Sequence, residues 1–164
     1  MALEKDVNSF VTLADAQAYF DNRLDVDAWT SATESQKNQA LITATDMMCE
    51  MPWTGYVDDE NQKLAFPRTG SYFDPKLGRE VLLNSTPALT RLYTATFELA
   101  YHLLNNDGLL DDSGLVDDLK IGNIQLSKIS NPNKVPGIVK TKLKPMWERG
   151  ITSTGASRSW WRAN

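Results

Sequence analysis

The segment MPWTGYVDDENQKLAFPRTG, from Met51 to Gly70, lies between two segments with helical periodicity and has none itself. Pro52 ends the preceding helix, because its ring clashes with the previous turn and its nitrogen has no proton to donate. A connection of this length needs its own packing to stay ordered inside a small domain. We predict an ordered loop, anchored on a helical core by aromatic side chains. Its structural residues are expected to be Trp53, Gly55, Phe66, Pro67 and Arg68.

Two helices are predicted before this segment, after a polar lead-in over residues 1–11 that offers few anchors. Thr12 is a good N-cap for a first helix that continues to Leu24. Ser31 and Glu34 have the spacing of a capping box, so the second helix is expected to begin at Ser31. Apolar residues recur at helical spacing in both, which indicates that each helix buries one face.

One long helix is predicted after the segment. Residues 71–85 have no clear period and are expected to be irregular. Thr86 and Pro87 then supply an N-cap and a proline at the first helical position, and the helical pattern continues to about Asn106. The apolar face of this helix is wide enough to be covered on more than one side. We therefore predict a mainly α fold, a small bundle of about four helices with this helix at its centre.

The last third of the chain predicts a short β-arm and a short helix. Apolar and polar residues alternate from residue 119 to residue 126, which indicates a bent strand or a small hairpin. Pro136 begins the short helix, whose apolar contacts are expected to include Ile138. Contacts with a neighbouring subunit or another partner are expected from this arm at Lys120, Ile121, Ile124, Leu126, Lys140, Lys144 and Trp147.

The extended C-terminal tail is rich in Ser, Thr and Gly and cannot form a core of its own. It nevertheless contains Trp160 and Trp161 between Arg158 and Arg162. Exposed paired tryptophans invite aggregation, and Trp and Arg are enriched at interface hot spots. The tail is therefore predicted to dock, either on a partner or on the body of its own chain.

Charge divides the chain into two parts. Residues 1–118 contain 8 Lys and Arg against 20 Asp and Glu, a balance of −12, whereas residues 119–164 contain 9 against 1, a balance of +8. The basic part either folds onto the acidic body or reaches a separate anionic partner, protein or nucleic acid. We predict an acidic helical body over residues 12–118, a basic arm over residues 119–148 and an anchor tail over residues 149–164.

The composition argues against several classes of protein. No run approaches the ~20 apolar residues of a membrane span, and the first residues lack the apolar region of a signal peptide. Cys49 is the only cysteine and His102 the only histidine, which argues against a disulfide and a zinc site. His102 has no nucleophile or acid at a catalytic spacing, and residues 109–118 lack the spacing of a calcium loop. We expect no enzyme activity, no metal and no cofactor.

Three stretches together resemble a family of tailed-phage proteins: VTLADAQAYFDNR at residues 11–23, MPWTG at residues 51–55 and QKLAFPRTG at residues 62–70. The most specific element is PW-x-G followed by Q-x-LAFPR-x-G. Members of the family are described as head-tail connector adaptors (head completion proteins) or as DnaT-like single-stranded-DNA-binding proteins. The resemblance covers about residues 10–147, so the aromatic end SWWRAN lies outside it.

The adaptor description implies a structural virion protein. It would form a ring, commonly of twelve copies, beneath the portal, join the portal to the tail and line the DNA channel. Its partners would be the portal protein, neighbouring adaptor subunits and downstream tail or nozzle proteins, with transient passage of genomic DNA and no membrane. It would reside in the virion neck, and in the host cytoplasm during assembly. The portal or another partner would be bound by Arg158, Trp160, Trp161 and Arg162.

The DnaT-like description implies instead a protein that binds single-stranded DNA. Such a protein needs a basic groove with aromatic side chains on which bases stack. Against this alternative stand the sequence pI of about 5.0 and the acidic body. The candidate residues all lie in the basic third: Lys140, Lys142, Lys144, Trp147, Arg158, Trp160, Trp161 and Arg162.

Overall fold

A computed structural model describes residues 2–106, 118–121, 124–127 and 135–147. Within them, five α-helices form the bundle: α1 (Leu13–Phe20), α2 (Asp27–Ser31), α3 (Glu34–Cys49), α4 (Thr86–Asn106) and α5 (Gly137–Leu143), which continues into a 3-10 turn (Lys144–Met146). Three antiparallel pairs complete the described part: β1 (Tyr56–Val57) with β2 (Arg68–Thr69), β3 (Ser71–Asp74) with β4 (Arg79–Leu82), and β5 (Asp118–Ile121) with β6 (Ile124–Ser127). The prediction of a mainly α bundle with a short β-arm is confirmed.

Helix α4 lies at the centre of the bundle, as its wide apolar face predicts. The other four helices all contact it, α3 and α5 most extensively. Leu92 and Leu99 of α4 are fully buried, and so are the small side chains of Ala88, Ala95 and Ala100. Small residues on a central helix let its neighbours approach closely, which fits the dense packing of protein interiors.

Helix α1 begins as predicted but ends sooner. Thr12 and Asp15 form a capping box, in which each side chain accepts a hydrogen bond from the backbone of the other. The helix stops at Phe20 instead of continuing to Leu24, whose side chain is 90% exposed. A helix could not have continued past Leu24, because Asp25 adopts a positive φ of 57°, which is outside the helical region.

The predicted start of the second helix at Ser31 is wrong. Ser31 instead ends the short helix α2, and its hydroxyl donates to the Asp27 carbonyl one turn earlier (2.7 Å). The capping box of α3 belongs to Thr33 and Gln36, two residues later than expected. Trp29 explains the extra helix: its ring is buried against Phe20, and that packing folds the intervening residues into a turn of their own.

The N-terminal lead-in is better anchored than its polarity suggests, so the prediction of few anchors is wrong. Phe10 and Val11 are buried in the core. The backbone N–H of Phe10 donates to the hydroxyl of Thr45 on α3 (3.4 Å), and its ring meets Phe66 edge-on. Two consecutive apolar residues are too short a run to show any period, which is why the pattern missed them.

The prediction of an irregular segment over residues 71–85 is also wrong, because strands β3 and β4 form a regular hairpin there. Its register runs from Ser71 opposite Leu82 to Asp74 opposite Arg79. Burial alternates along β3, but one of its two buried positions is Asp74, a charged residue. Because a charged residue occupies a buried position, the sequence of β3 lacks the alternation of apolar and polar residues by which strands are recognised.

The short helix α5 belongs to the same core as the N-terminal helices. Val139, Leu143 and Met146 are fully buried in it, whereas Ile138 is 49% exposed and does not supply the predicted core contact. Buried positions three and four residues apart define one helix face, and Ile138 lies one residue away from that face. The division into a body, an arm and a tail stays a prediction; the anchor tail over residues 149–164 lies outside the described residues.

Candidate functional site

One arginine side chain connects separate parts of the central segment, which we define as residues 51–70. Arg68 donates from Nη2 to the Gly55 carbonyl (2.7 Å), from Nε to the Thr54 carbonyl (3.1 Å) and from Nη1 to the Ala65 carbonyl (3.3 Å). A guanidinium presents its donors in a fixed fork, so one side chain can satisfy several backbone carbonyls that a loop would otherwise leave unpaired. Arg68 thereby links the two ends of the segment to each other.

Two further residues fix the shape of this segment. Gly55 has a φ of +76°, and a Cβ atom there would lie 2.2 Å from the Thr69 carbonyl oxygen, so no other residue fits. The buried indole of Trp53 donates to the Met48 carbonyl at the end of α3 (2.7 Å) and meets Phe66 edge-on. These contacts give the segment a fixed position beside the core.

The central segment also makes backbone contacts with the last described residues, Met146 and Trp147. Trp53 and Trp147 pair across an antiparallel bridge, and the Thr54 N–H donates to the Met146 carbonyl (3.0 Å). The 3-10 turn after α5 is therefore placed beside hairpin β3–β4, with which it is in contact.

A groove of about 500 Å³ lies between this turn and the hairpin, and we call it the aromatic groove. Phe73 projects from β3 with 58% of its surface exposed, Trp147 is half-buried, and Lys144 is exposed. The indole N–H of Trp147 is buried and has no hydrogen-bond partner among the described residues. The groove thus combines Phe73, Trp147 and the buried Tyr72 with one cation. Glu80 is the only acidic residue of its described lining.

A second cavity, of about 420 Å³, lies on the other side of Asp74, and we call it the basic cavity. Its walls come from the hairpin turn, the first turns of α4 and helix α5. Lys76, Arg91 and Lys142 contribute three cations to its lining, together with apolar surface from Leu77 and Pro87.

Asp74 joins the two sites to the core. Arg91 on α4 donates to both of its oxygens, from Nε (2.9 Å) and from Nη2 (3.0 Å), and the Tyr72 hydroxyl donates as well (2.8 Å). Hydrogen bonding to Arg91 holds the pKa of Asp74 well below its usual range. Burial and the bond to Asp74 raise the pKa of Tyr72 to about 12. The carboxylate is thus ionised and fully paired at neutral pH.

A similar trio lies inside the helical body. Arg23 donates to both oxygens of the buried Glu98, from Nε (3.0 Å) and Nη2 (2.9 Å), and the Tyr19 hydroxyl donates to Oε1. Burial and the bond to Glu98 raise the pKa of Tyr19 above its ordinary value. None of the three residues lines either of the two cavities, so this trio connects α1 to α4 and has no evident role in a site.

Other reactive side chains give no site of their own. Burial raises the pKa of the Cys49 thiol, whose sulfur accepts a hydrogen bond from the Ala65 N–H (3.4 Å). Burial lowers the pKa of His102. Over the described ranges there is no group of three or more His, Cys, Asp and Glu side chains that could hold a metal ion. Nor does any helix in them combine the length and apolarity needed to cross a membrane.

A family model described as "Putative DnaT-like ssDNA binding protein" matches residues 2–159. The chain belongs to this family. The match includes every residue of the aromatic groove and the basic cavity. Neither the curated proteins nor the solved structures contain a match. Of the two descriptions that the sequence resemblance carries, the comparison supports the DnaT-like one and offers nothing on a phage adaptor.

The structure of this DnaT-like chain brings together part of the predicted site. Lys144 and Trp147 lie in the aromatic groove, and Lys142 lies in the basic cavity. Lys140 is half-buried on α5 and lines neither. In the arm, the backbone register pairs Lys120 with Gln125, Ile121 with Ile124, and Leu119 with Leu126. The predicted tail contacts Arg158, Trp160, Trp161 and Arg162 lie outside the described residues.

Sequence reasoning missed Phe73 and Asp74 on the hairpin and Arg91 on α4. One signal could have revealed the hairpin: Asp74 is followed by proline and then by Gly78, and residues of these types mark turns. In the structure Asp74 accepts hydrogen bonds from the next backbone amides, and Gly78 takes a φ of 64°. The ion pair with Arg91 joins residues seventeen positions apart and leaves no local pattern.

Proposed function

We propose that this DnaT-like protein binds single-stranded DNA in the aromatic groove. The family description supports this substrate, and the groove supplies the chemistry that it needs. Proteins that bind single strands combine cations that follow the phosphates with aromatic rings on which bases stack. Phe73 carries the proposal, because it is a largely exposed aromatic ring beside Trp147 and Lys144 in one groove.

Exposure of Phe73 is costly unless something covers the ring. On the facing strand Glu80 lies directly opposite, and the exposed side chain of Leu82 lies on the same face but leaves the ring 58% exposed. Tyr72 and Asp74, on either side of it, are both buried, so the backbone of β3 is fixed while the Phe73 ring is presented outwards. A rigid platform of this kind loses little conformational entropy when a base stacks on it.

Trp147 adds a second feature that suits a ligand. A buried donor without an acceptor costs about 1–3 kcal/mol, and its indole N–H has no acceptor in the described part of the chain. The half-buried ring of Trp147 lines the groove together with Phe73, so it offers a second aromatic surface there. Lys144, three residues earlier, is exposed and within the same groove, where it can attract a phosphate.

The acidic body limits the strength of this binding but does not oppose it locally. Residues 2–106 contain 8 Lys and Arg against 15 Asp and Glu. Asp74, which follows Phe73, is neutralised by Arg91, and Glu80, the acidic residue of the described groove lining, has no described ion pair. We expect weak, salt-sensitive binding without sequence preference.

The experiment is fluorescence polarisation with a labelled oligo(dT) and the full chain at low salt. Stacking on one aromatic is worth about 1–3 kcal/mol per base, so Phe73→Ala should weaken binding about fivefold or more. Tyr56→Ala is the matched control, since Tyr56 is 78% exposed on β1 and lines neither the aromatic groove nor the basic cavity. Absence of binding by the unaltered protein, or equal affinity of the Phe73→Ala variant, would contradict the proposal.

The charge of the helical body favours a second candidate, the head-to-tail adaptor. An acidic surface suits a channel wall that passes DNA without retaining it, because like charges keep phosphates mobile. In this proposal the protein forms a ring of about twelve copies beneath a portal and joins the portal to the tail. Many weak contacts suffice in a ring, since later contacts become effectively intramolecular.

Negative-stain imaging with the cognate portal tests this candidate. An added ring at the narrow end of the portal, lost when residues 157–164 are deleted, would support the adaptor and assign its anchor to Arg158, Trp160, Trp161 and Arg162. A ring that persists without those residues would support the adaptor but contradict the anchor. Absence of any ring would contradict the adaptor itself.

A further inference from the structure

The basic cavity has an excess of positive charge that its own lining does not neutralise. Lys76 from the hairpin turn, Arg91 from α4 and Lys142 from α5 face it, and Asp74 is the only carboxylate among its lining residues. Three separate elements thus bring cations to one concave surface of about 420 Å³. Because the three cations come from three different elements, the charge pattern of a single helix does not account for their meeting at one surface.

Asp74 has no capacity left to pair with either lysine. Its Oδ1 accepts from the backbone amides of Lys76 (2.8 Å) and Leu77 (3.2 Å) and from Arg91. Its Oδ2 accepts from Arg91 and from the Tyr72 hydroxyl. A carboxylate offers about four lone-pair positions, so these five bonds exhaust it. The cavity therefore retains the charge of two lysines, about +2.

The shape of the cavity fits more than a small ion. Small-molecule sites occupy roughly 300–1,000 Å³, so its volume lies in their range. Leu77 and Pro87 add apolar wall beside the lysines. The hydroxyls of Thr90 and Thr94 donate to carbonyls of their own helix, so the lysines are the main donors left for a ligand. Cationic donors with an adjoining apolar wall suit a phosphate attached to an organic group.

We propose that the basic cavity is a phosphate-binding site, in which Lys76 and Lys142 contact a phosphate of a nucleotide or of a nucleic-acid strand. The cavity and the aromatic groove share no described lining residue, but Phe73 of the groove and Asp74 of the cavity are consecutive on β3, and Lys142 is two residues before Lys144. A strand long enough to extend from Phe73 to the cavity would bring a phosphate of its backbone there. A nucleic-acid strand as the source of the phosphate rests on the proposed function. The phosphate-binding site itself does not depend on it.

Amide chemical shifts of the ¹⁵N-labelled full chain test this site, with sodium phosphate as the probe and sodium chloride at equal ionic strength as the reference. We expect saturable shifts at Lys76, Leu77 and Thr90. Lys76→Met with Lys142→Met should weaken that response at least tenfold, whereas Lys63→Met, on the central segment, should leave it unchanged. The Lys76→Met variant alone, at an exposed hairpin turn, provides the test if the double variant does not fold. No saturable shift, or an equal one in the lysine variants, would overturn the site.

The source of the phosphate is distinguished with thymidine 5′-monophosphate and an eight-residue oligo(dT). Shifts at the cavity with both ligands support a backbone phosphate, and shifts with the monophosphate alone support a nucleotide. Phosphate binding without any response to the oligonucleotide would sustain this site and contradict the proposed function. Oligonucleotide shifts at Phe73 and Trp147 without shifts at the cavity would support the proposed function and contradict the phosphate site.

Discussion

Two trios of the same chemistry, each made of a tyrosine, a buried carboxylate and an arginine, lie at different places in the molecule. In the body trio, Tyr19, Arg23 and Glu98 connect α1 to α4. In the hairpin trio, Tyr72, Asp74 and Arg91 connect β3 to the same helix. Both carboxylates are almost fully buried, and both arginines grip them with two hydrogen bonds.

The difference lies in what surrounds each carboxylate. Glu98 is satisfied by side chains alone in the described structure, and the guanidinium of Arg23 lies over the Tyr101 ring (4.4 Å). Asp74 also accepts hydrogen bonds from two backbone amides of the hairpin turn, lines the basic cavity and directly follows Phe73 of the aromatic groove. The same interaction therefore stabilises the fold in one place and positions a candidate site in the other.

The largest expected effect is on the body trio. Glu98→Ala removes the two hydrogen bonds between Arg23 and the carboxylate and leaves a partly buried cation and the Tyr19 hydroxyl without that partner. Breaking such a pair from one side costs about 3 kcal/mol. Urea unfolding should show this loss, and oligonucleotide affinity measured on the folded fraction should not change. A change in affinity would show that the two trios are coupled, and would contradict a purely structural role of the body trio.

Asp74→Asn is expected to lower the free energy of unfolding less than Glu98→Ala does, and to weaken oligonucleotide binding more. The amide oxygen can still accept from the backbone of the turn, but the NH2 group cannot accept the bonds that Oδ2 takes from Arg91 and from the Tyr72 hydroxyl. We expect a loss of about 2 kcal/mol. Because Phe73 is held by this anchor, oligonucleotide binding should also weaken by about tenfold. Urea unfolding and fluorescence polarisation on the same preparation measure both effects. Unchanged binding would show that the hairpin trio is as purely structural as the body trio.

The pH dependence of stability should distinguish the trios further. The pKa of Asp74 is held below the ordinary 3.8, so its stabilisation is complete above about pH 4 and is lost as the pH falls through the lower folded value. The pKa of Tyr72 is raised from 10.0 to about 12, so the unfolded chain releases that proton first and stability falls between about pH 10 and pH 12.

Urea midpoints across pH measure both effects. Asp74→Asn should flatten the acid limb, and Tyr72→Phe should remove part of the alkaline loss. The remainder is expected from Tyr19, whose pKa is raised as well. An alkaline limb that is unchanged by Tyr72→Phe would contradict the hydrogen bond to Asp74.

The smallest expected effect concerns the one carboxylate of the aromatic groove without a described ion pair. Glu80→Gln removes a negative charge opposite Phe73 and should strengthen oligonucleotide binding about threefold at low salt, an amount that screening reduces at high salt. Glu60→Gln, on the exposed central segment, is the matched control and should have no effect. Equal gains from both variants would indicate a general charge effect instead of a groove.

The bundle and the anchoring of the central segment followed from local rules. Pro52 ended α3, Thr12 capped α1, and the apolar face of α4 predicted its central position, because each depends on residues within one or two turns. The boundary near Ser31 failed because tertiary packing of Trp29 overrode the local capping motif. Lys144 and Trp147 were predicted on composition alone, since aromatic and basic residues near each other in the sequence suit nucleic acid.

The rest of the site could not be read from the sequence. Asp74 broke the alternation of β3 because it is a buried charge, and its partner Arg91 is far along the chain. Phe73 has no special local pattern, and its exposure depends on which neighbours the hairpin buries. Lys76 and Lys142 are brought to one cavity only by the packing of the hairpin and α5 on α4.

Photocrosslinking of the full chain to a 5-iodouracil-substituted oligo(dT), followed by mass spectrometry of the modified peptide, tests the central claim most directly. The account predicts crosslinks at Phe73 or Trp147, suppressed by unlabelled oligonucleotide and weakened by salt. Absence of a competed crosslink, or crosslinks confined to residues outside the aromatic groove, would contradict it.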